Sequence, residues 1–323
     1  MNKRNVEEDK SIMLTESQNL DRIIENSSVG RHETFTPRYG WLKKGYDATK
    51  QDGNVFKAPD AIERLGVGKN MVRSMRFWCQ AFKIIEVDRG VAKGTRFGDE
   101  LLGPKGWDPY LEDMGSLWLL HWMLFVPNLE AISWSFAFNR NYLFSFDSKS
   151  LTKTFISAAK KHPHLADLAE GTFEKDASCI LRMYADGSSN SELEIDCPFT
   201  QLEIIRRAEE KNHFCFDNRD KPSLPPLIYA AACFSYMHHY ASSTQKAISL
   251  NRLTFDFNSP GVVFKLSETA SGENLRLASQ EMPGFSIVEQ TGGTQIHLQS
   301  DPDDLFWKAL ETYYLGAIIN DEN

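Results

Sequence analysis

The stretch 69–82 (KNMVRSMRFWCQAF) constrains the fold most, because its residues separate into two faces at a helical period. One face is an apolar stripe with i, i+4, i+7 and i+11 spacing, formed by Met71, Met75, Trp78 and Phe82. The other face carries only basic and amide groups, which are Lys69, Arg73, Arg76 and Gln80. No acidic residue lies in the stretch. The pattern predicts a helix that packs on a core and presents an electropositive face to solvent.

The flanking segments predict a helix-turn-helix with a wing. Upstream, 59–65 is a short helical signal that ends at Gly66-Val67-Gly68, whose glycines permit a sharp reversal. Downstream, Gly90 separates 83–89 from 93–97, which predicts a β-hairpin where a winged helix has its wing. We therefore predict a winged helix-turn-helix domain that contacts DNA. An ordinary helical hairpin with a solvated basic face is the alternative.

The types of residue on the basic face suggest how double-stranded DNA would be contacted. Asn70 is suited to pair with adenine, and Arg73 and Arg76 are suited to pair with guanine, whereas Lys69 suits a phosphate. Further cations before and after the helix would neutralise the DNA backbone on either side. They are Arg38, Lys43, Lys44, Lys93 and Arg96.

Charge is distributed unevenly along the chain. The whole protein has a formal net charge of −8, which by itself argues against nucleic-acid binding. Residues 31–96, however, contain fourteen Lys and Arg against seven Asp and Glu, so the remainder carries −15. A basic head on an acidic body is typical of a protein that touches DNA locally and meets other proteins elsewhere.

Cysteine usage and hydropathy predict a cytoplasmic protein. The five cysteines are an odd number and include no CxxC pair, and no secretory signal precedes them, which indicates reduced thiols. The most apolar run, 117–126, is far shorter than the roughly twenty residues that a helix needs to cross a bilayer. The sequence therefore predicts no membrane span.

The patterns predict a mainly α, or α+β, fold with four segments. Residues 1–30 are polar and predict a flexible arm. The winged-helix domain covers 31–103, and a mainly helical central domain covers 104–221. In the central domain, a buried helix over 114–125 has Ser116 as its predicted N-cap and His121 as a satisfied core histidine.

The fourth segment, 222–323, begins at a proline-rich break and repeats the winged-helix rhythm. A short helix begins near Pro260, a longer one covers 271–280, and 285–298 predicts a hairpin that turns at two glycines. Because Arg276 is the only cation on the longer helix, we predict an interaction module, which includes the alternative of a homodimer contact, rather than a second DNA reader. A final amphipathic helix is predicted over 303–315.

Two sets of residues are candidates for phosphodiester chemistry. His32 and Glu33, beside Arg31 and Arg38, form the densest set that could orient water and stabilise a charged phosphorane near the basic head. The structural alternative is that Glu33 caps a helix and His32 is buried under Trp41. Separately, three carboxylates share one face of a predicted strand and could bind a divalent cation such as Mg²⁺, although a solvated edge strand is the alternative. They are Glu192, Glu194 and Asp196.

Two long motifs, 31–45 (RHETFTPRYGWLKKG) and 65–78 (LGVGKNMVRSMRFW), resemble the SspB-type proteins of bacterial single-strand DNA phosphorothioation systems. The shorter motifs that extend the resemblance are WDPYLED at 107–113, LWLLHW at 117–122, DCP at 196–198 and KPSLPP at 221–226. The resemblance covers most of the chain after residue 30.

The resemblance implies a part in replacing a non-bridging phosphate oxygen of DNA by sulfur, for defence against phage. It also implies DNA nicking, and partners that include a cysteine desulfurase, an ATP-using sulfur-transfer enzyme and an ATPase. It assigns no catalytic residue. The rival hypothesis is a non-catalytic DNA-binding adaptor or transcriptional regulator.

Overall fold

A computed structural model describes residues 21–139, 144–185, 197–241 and 246–321, with side chains described as far as residue 316. The chain forms two compact units. The larger unit contains Ser28–Phe125 and Glu130–Leu224, and the smaller unit contains Pro225–Asn323 together with Met1–Ser27 and Val126–Leu129. Helices predominate and the sheets are small, so the predicted mainly helical α+β class is confirmed. The four segment boundaries drawn from the sequence stay predictions.

The larger unit begins with three helices, a hairpin and a fourth helix. These elements are α1 (Trp41–Gln51), α2 (Ala61–Leu65), α3 (Lys69–Ala81), β1 (Ile85–Asp88), β2 (Val91–Gly94) and α4 (Arg96–Leu102). A 3₁₀ turn, Val55–Lys57, lies between α1 and α2. The helix predicted over 69–82 is confirmed. Gly66 ends α2 in the left-handed conformation with φ 63°, as the predicted reversal requires.

The hairpin is tighter than its sequence pattern suggested. Asp88 pairs with Val91, so only Arg89 and Gly90 form the loop, with φ 46° and 87°. Two successive left-handed residues match the type I′ turn that the twist of a hairpin favours. Thr95 ends β2 because its hydroxyl accepts a hydrogen bond from Gly98 N–H and donates one to the Lys83 carbonyl oxygen. Arg96 was predicted to lie on the wing, but this cap makes it the first residue of α4.

The buried face of α3 is broader than the predicted stripe. Met75, Trp78 and Phe82 are buried as predicted, but Met71 is only half-buried. Val72, Phe77 and Cys79 are buried as well. On one side α3 approaches α1 so closely that a Cβ on Gly45 would lie 2.6 Å from Cys79 Sγ. The C-terminal half of α3 is therefore a core helix, and exposure is concentrated in its N-terminal half.

The rest of the larger unit is mainly helical, and two of its helices, Met114–Met123 and Ile132–Asn139, are almost entirely buried. The elements are α5 (Met114–Met123), α6 (Ile132–Asn139), α7 (Ser148–Ala159), α8 (Pro163–Ala166), α9 (Glu170–Tyr184), a 3₁₀ turn (Pro198–Leu202), β3 (Ile205–Arg207) and β4 (Phe214–Phe216). The side chain of Asp113 caps α5 by accepting from Gly115 N–H, so the prediction of Ser116 as N-cap was wrong. His121 is buried with Nδ1 2.7 Å from the Tyr184 hydroxyl, as predicted for a core histidine.

The smaller unit contains a three-stranded antiparallel sheet. Its elements are α10 (Pro226–Tyr240), β5 (Ala247–Ser249), α11 (Leu250–Phe255), α12 (Pro260–Phe264), α13 (Glu268–Glu281), β6 (Phe285–Gln290), β7 (Gly293–Leu298) and α14 (Pro302–Asp321). The strand order is β5-β7-β6. The predicted short helix, longer helix and hairpin are all present, whereas β5 had no sequence signal that we recognised. Because the Ser267 hydroxyl accepts from Ala270 N–H, α13 begins three residues before the predicted start.

Two further predictions concern the whole chain. All five cysteines are free and buried. Within the described residues, no helix combines the length and the apolar character that crossing a bilayer requires. The predicted carboxylate strand at 192–196 and most of the predicted arm at 1–30 lie outside the described residues.

The orientation of α3 predicts unequal effects for two methionine substitutions. Met75→Ala should lower the free energy of unfolding by about 2–5 kcal/mol, because Met75 is fully buried and its truncation leaves a cavity. Met71→Ala, on the half-buried side, should cost clearly less. Urea unfolding of the two variants measures the difference. Equal losses would show that α3 does not have this orientation.

Candidate nucleic-acid interface

The N-terminal half of α3 is the exposed part of the predicted DNA-reading helix. Lys69, Asn70 and Arg73 are exposed, and Arg76 is half-buried. The residue before the helix, Gly68, offers no side-chain cap, and the first turn of the helix contains no acidic residue. Backbone N–H groups at such a helix start attract anions, and Lys69 adds a full positive charge beside them.

Most of these cations form no ion pair with a carboxylate of the described residues. In the part of the chain that the structure describes, neither Lys69 nor Arg76 forms an ion pair. Arg73 forms one with Glu33, but the distance from Nη1 to Oε1 is 3.5 Å and both groups are solvent-accessible. The contact is long for a charge-assisted hydrogen bond, and solvent screens it.

The predicted flanking cations on and before α1 already have partial roles in the fold. Lys43 Nζ lies 2.5 Å from a carboxylate oxygen of Asp47, one helical turn further on. Lys44 Nζ donates to the Leu65 carbonyl oxygen at 3.3 Å, at the end of α2. The guanidinium of Arg38 lies over the ring of Trp41 at 5.4 Å. Of the three, Lys44 contacts a neutral acceptor, and no carboxylate among the described residues forms an ion pair with it.

Two exposed cations lie on the hairpin: Lys93, which the sequence analysis predicted, and Arg89, which it missed. Lys93 is exposed on β2 but lies directly across from Glu86 on β1, so an acidic residue offsets its charge. Arg89 is exposed at the tip of the hairpin. The Asp-Arg-Gly turn signal was visible in the sequence, but the two-residue loop that places Arg89 at the tip became evident only from the strand register.

The loop before α1 is strained and firmly held. Glu33 and Thr34 both have positive φ, 49° and 67°, which costs of order 1–3 kcal/mol for each non-glycine residue. Trp78 Nε1 of α3 donates to the Phe35 carbonyl oxygen at 3.0 Å. Arg182 Nη2 of α9 donates to the Thr34 carbonyl oxygen at 2.6 Å. Two distant helices therefore stabilise a conformation that the loop would not adopt alone.

His32 anchors this loop from beneath. It is fully buried, and its Nε2 lies 2.7 Å from Oδ1 of the buried Asp176 on α9. Its aromatic neighbours are Phe77, Trp78 and Trp134, and not Trp41 as the structural alternative proposed.

The ionisation of His32 follows from this environment. Burial lowers the pKa of His32, but Cys179 and the Asp176 carboxylate together raise it further than burial lowers it, to about 10. His32 is therefore an imidazolium paired with Asp176 at neutral pH. The fully buried imidazolium is placed to hold the loop, and no phosphate can reach it in this conformation.

Glu33, the other predicted catalytic residue, lies at the surface next to Arg73 and caps no helix. The structure thus brings the predicted catalytic carboxylate beside a predicted DNA-contacting arginine, although they are 40 positions apart in the chain. Sequence reasoning selected both residues but did not place them together.

The described side chains do not form a complete metal site. Within them, no group of three or more His, Cys, Asp and Glu residues is close enough to hold a metal ion. The predicted cluster of Glu192, Glu194 and Asp196 lies outside the described residues.

The His32–Asp176 pair predicts a pH-dependent loss of stability on substitution. Asp176→Asn should lower the free energy of unfolding by about 3–5 kcal/mol near pH 6, because it leaves a buried imidazolium without its partner. The folded-state pKa of His32 lies above its ordinary value of 6.5, so the pair contributes fully below pH 6.5 and its contribution is lost as the pH rises towards about 10. Urea unfolding across this pH range measures the trend.

Glu174→Gln, an exposed substitution on the same helix, is the matched control and should change stability little at any pH. A loss in Asp176→Asn that stays constant with pH would exclude an ionised pair.

Comparison with known proteins places this architecture in a family. Residues 29–314 match the family described as "Protein of unknown function (DUF4007)". No curated protein matches the chain. Two solved structures are similar over 91% of this chain and 90% of their own: an SspB crystal structure, with 33% identity and a TM-score of 0.83, and a magnesium ion-bound SspB crystal structure, with 32% identity and a TM-score of 0.84. The chain therefore belongs to the DUF4007 family and is an SspB-type protein.

Proposed function

We propose that this protein is the DNA-binding component of a DNA phosphorothioate-modification system that acts against phage, and that it nicks DNA so that sulfur can enter the backbone. The observation that carries the proposal is the exposed N-terminal half of α3, where Lys69 and Arg76 have no ion-pair partner among the described residues. The similarity to SspB supports the sulfur-modification context.

The elements α1 to α3 with the β1–β2 hairpin constitute, in this proposal, a winged helix-turn-helix. Helix α2, the three-residue turn and α3 follow one another in the order that this motif requires, and the hairpin comes next as the wing. In that arrangement α3 enters the major groove with its N-terminal residues foremost. Lys69 and Asn70 lie in its first turn, and Arg73 lies one turn later.

Two kinds of contact follow from the exposed groups. Asn70 and Arg76 reach base edges, and Lys69 holds a phosphate. Arg73, which the sequence pattern suited to guanine, is proposed to contact a phosphate instead, because it lies beside Glu33. The sugar-phosphate backbone on either side is neutralised by the surrounding cations, which are Arg38, Lys43, Lys44, Lys93, Arg96 and, at the hairpin tip, Arg89.

For nicking, Glu33 is the proposed general base that orients the attacking water and takes its proton. As the water oxygen bonds to phosphorus, the bond from phosphorus to the leaving sugar oxygen breaks, and that oxygen takes a proton from solvent. Arg73, beside it, stabilises the negative charge that develops on the phosphorane. A DNA phosphate competes with Glu33 for Arg73. Breaking the Arg73–Glu33 ion pair costs little free energy, because the contact is long and solvent-exposed. His32 is a positioning residue, because it holds the strained loop that presents Glu33.

A divalent cation such as Mg²⁺ is a proposed cofactor of the nicking reaction. Magnesium commonly takes only one or two protein carboxylates and completes its shell with substrate phosphates and water. A site that DNA completes would need no cluster of three protein ligands. The magnesium ion-bound SspB structure supports testing this ion first.

The rest of the molecule is proposed to meet other proteins in the cytoplasm. Outside residues 31–96 the chain carries a net charge of −15, which disfavours contact with DNA. In the smaller unit, β5 to β7 with α10 to α13 are proposed as a second winged helix. Its longer helix, α13, has Arg276 paired with Glu273, so it offers no free cation to DNA.

The partners proposed for these surfaces are a cysteine desulfurase, an ATP-using sulfur-transfer enzyme and an ATPase. A second copy of this chain, forming a homodimer through the smaller unit, is also proposed.

Substitution of the basic face tests the DNA-binding proposal. Arg73→Ala combined with Arg76→Ala should abolish binding to duplex DNA at an ionic strength of about 0.15 M, because two cationic contacts are removed. Fluorescence anisotropy measures the binding. At lower salt, the slope of log K against log salt should become shallower by about 1, because Arg73 contacts a phosphate whereas Arg76 contacts a base edge.

Arg276→Ala is the matched control in the smaller unit and should bind as the wild type does. Unchanged affinity of the double variant, with its circular dichroism intact, would refute the proposed reading helix.

Nicking of supercoiled plasmid in Mg²⁺ tests the catalytic proposal. Glu33→Gln keeps the shape of the side chain but removes the base, so nicked circles should fall by at least about 100-fold while duplex binding persists. Nicking equal to that of the wild type would remove Glu33 as the base.

The second candidate function is a non-catalytic DNA-binding adaptor or regulator, which the burial of His32 favours. Tight plasmid binding by the wild type without any nicks would support the adaptor.

A further inference from the structure

The larger unit contains a cavity of about 430 Å³ beside the turn that leads into α3. Its walls include Lys43, Lys44 and Asp47 from α1, Arg64 and Leu65 from α2, and Tyr110 from the loop after α4. This volume lies within the range of small-ligand pockets, roughly 300–1,000 Å³.

The loop that carries Tyr110 is held by hydrogen bonds within its own segment. The carboxylate of Asp108 accepts hydrogen bonds from the backbone N–H groups of Glu112 and Asp113, both at 3.0 Å. Leu111 is buried and has a left-handed φ of 57°, which anchors the loop immediately after Tyr110. The Tyr110 side chain is nevertheless 73% exposed. A hydrogen-bonded loop therefore displays an aromatic ring that the fold leaves uncovered.

The charged part of the cavity lining is mostly cationic. Lys44 Nζ donates only to a neutral carbonyl, that of Leu65, so no carboxylate compensates its charge in this contact. Lys43 is paired with Asp47, and Arg64 is paired with Asp52 outside the lining. The cavity lining therefore has two lysines and an arginine against a single aspartate.

This combination matches the chemistry of a nucleotide. A nucleobase is flat and stacks on exposed aromatic rings, and its phosphate is attracted to lysine. A base that is stacked within a duplex cannot lie on Tyr110, because both its faces are covered by neighbouring base pairs. The ligand must therefore be a nucleotide that has left the base stack.

We propose that the cavity takes one unstacked nucleotide of the bound DNA, with its base on the Tyr110 ring and its phosphate on Lys44. The inference rests on the proposed function, because duplex binding through α3 brings the DNA to the cavity. Lys44 contacts Leu65, and only Gly66, Val67 and Gly68 separate that residue from α3. The cavity thus provides a reason for binding to favour DNA with a disrupted stack.

Two labelled duplexes test the proposal by fluorescence anisotropy. One contains a single unpaired thymidine and the other has the same sequence without it. The wild type should bind the bulged duplex about 5- to 150-fold more tightly, which is the range for stacking one base on an aromatic side chain. Tyr110→Ala should lose this preference while its affinity for the perfect duplex stays unchanged. Tyr110→Phe, which keeps the ring, should retain the preference.

Phe255→Ala is the matched control, since Phe255 is another exposed aromatic residue but lies in the smaller unit. It should keep the wild-type preference. Equal affinity of the wild type for the two duplexes, or an undiminished preference in Tyr110→Ala, would overturn the nucleotide site while leaving duplex binding in place. Absence of binding to either duplex would overturn the proposed DNA-binding function, and the nucleotide site with it.

Discussion

The buried contact between His32 and Asp176 is the interaction on which the exposed surface depends. It joins a loop near the start of the larger unit to a helix that follows 144 residues later in the chain. Burial of two ionisable groups is costly unless they are paired, so the loop cannot leave this position without exposing an uncompensated charge to an aromatic core. The strained backbone of Glu33 and Thr34 persists because His32 holds it from one side and Arg182 holds it from the other.

Helix α3 connects this anchored loop to the surface that we propose for DNA. Its C-terminal half is embedded, with Trp78 packed against His32 and donating to the loop backbone. Its N-terminal half is exposed and basic. A rigid base with an exposed end allows the positions of Lys69 and Arg73 to be defined by the core, while the side chains themselves remain in water. The Arg73–Glu33 contact is weak by comparison, and exposed pairs of this kind contribute about 0–1 kcal/mol, so a phosphate can replace it.

A large part of the secondary structure was predictable from local patterns. The two faces of α3, the glycine reversal before it and both hairpins were readable because each depends on neighbouring residues. The errors were also local in origin. Asp113, and not the predicted Ser116, caps α5. Arg96 lies on a helix and not on the wing, because the Thr95 hydroxyl caps α4 and ends the strand. Strand β5 was missed because three residues carry too little periodicity to recognise.

The sequence alone determined the basic face of α3, the segregation of charge between residues 31–96 and the rest, and the family. Only the tertiary structure decided that His32 is an anchored core cation paired with Asp176 and that Glu33 lies beside Arg73. It also decided that Tyr110 lines the same cavity as Lys44. These are contacts between residues far apart in the chain. Periodicity and turn chemistry report only on near neighbours, whereas such contacts arise from the packing of whole helices.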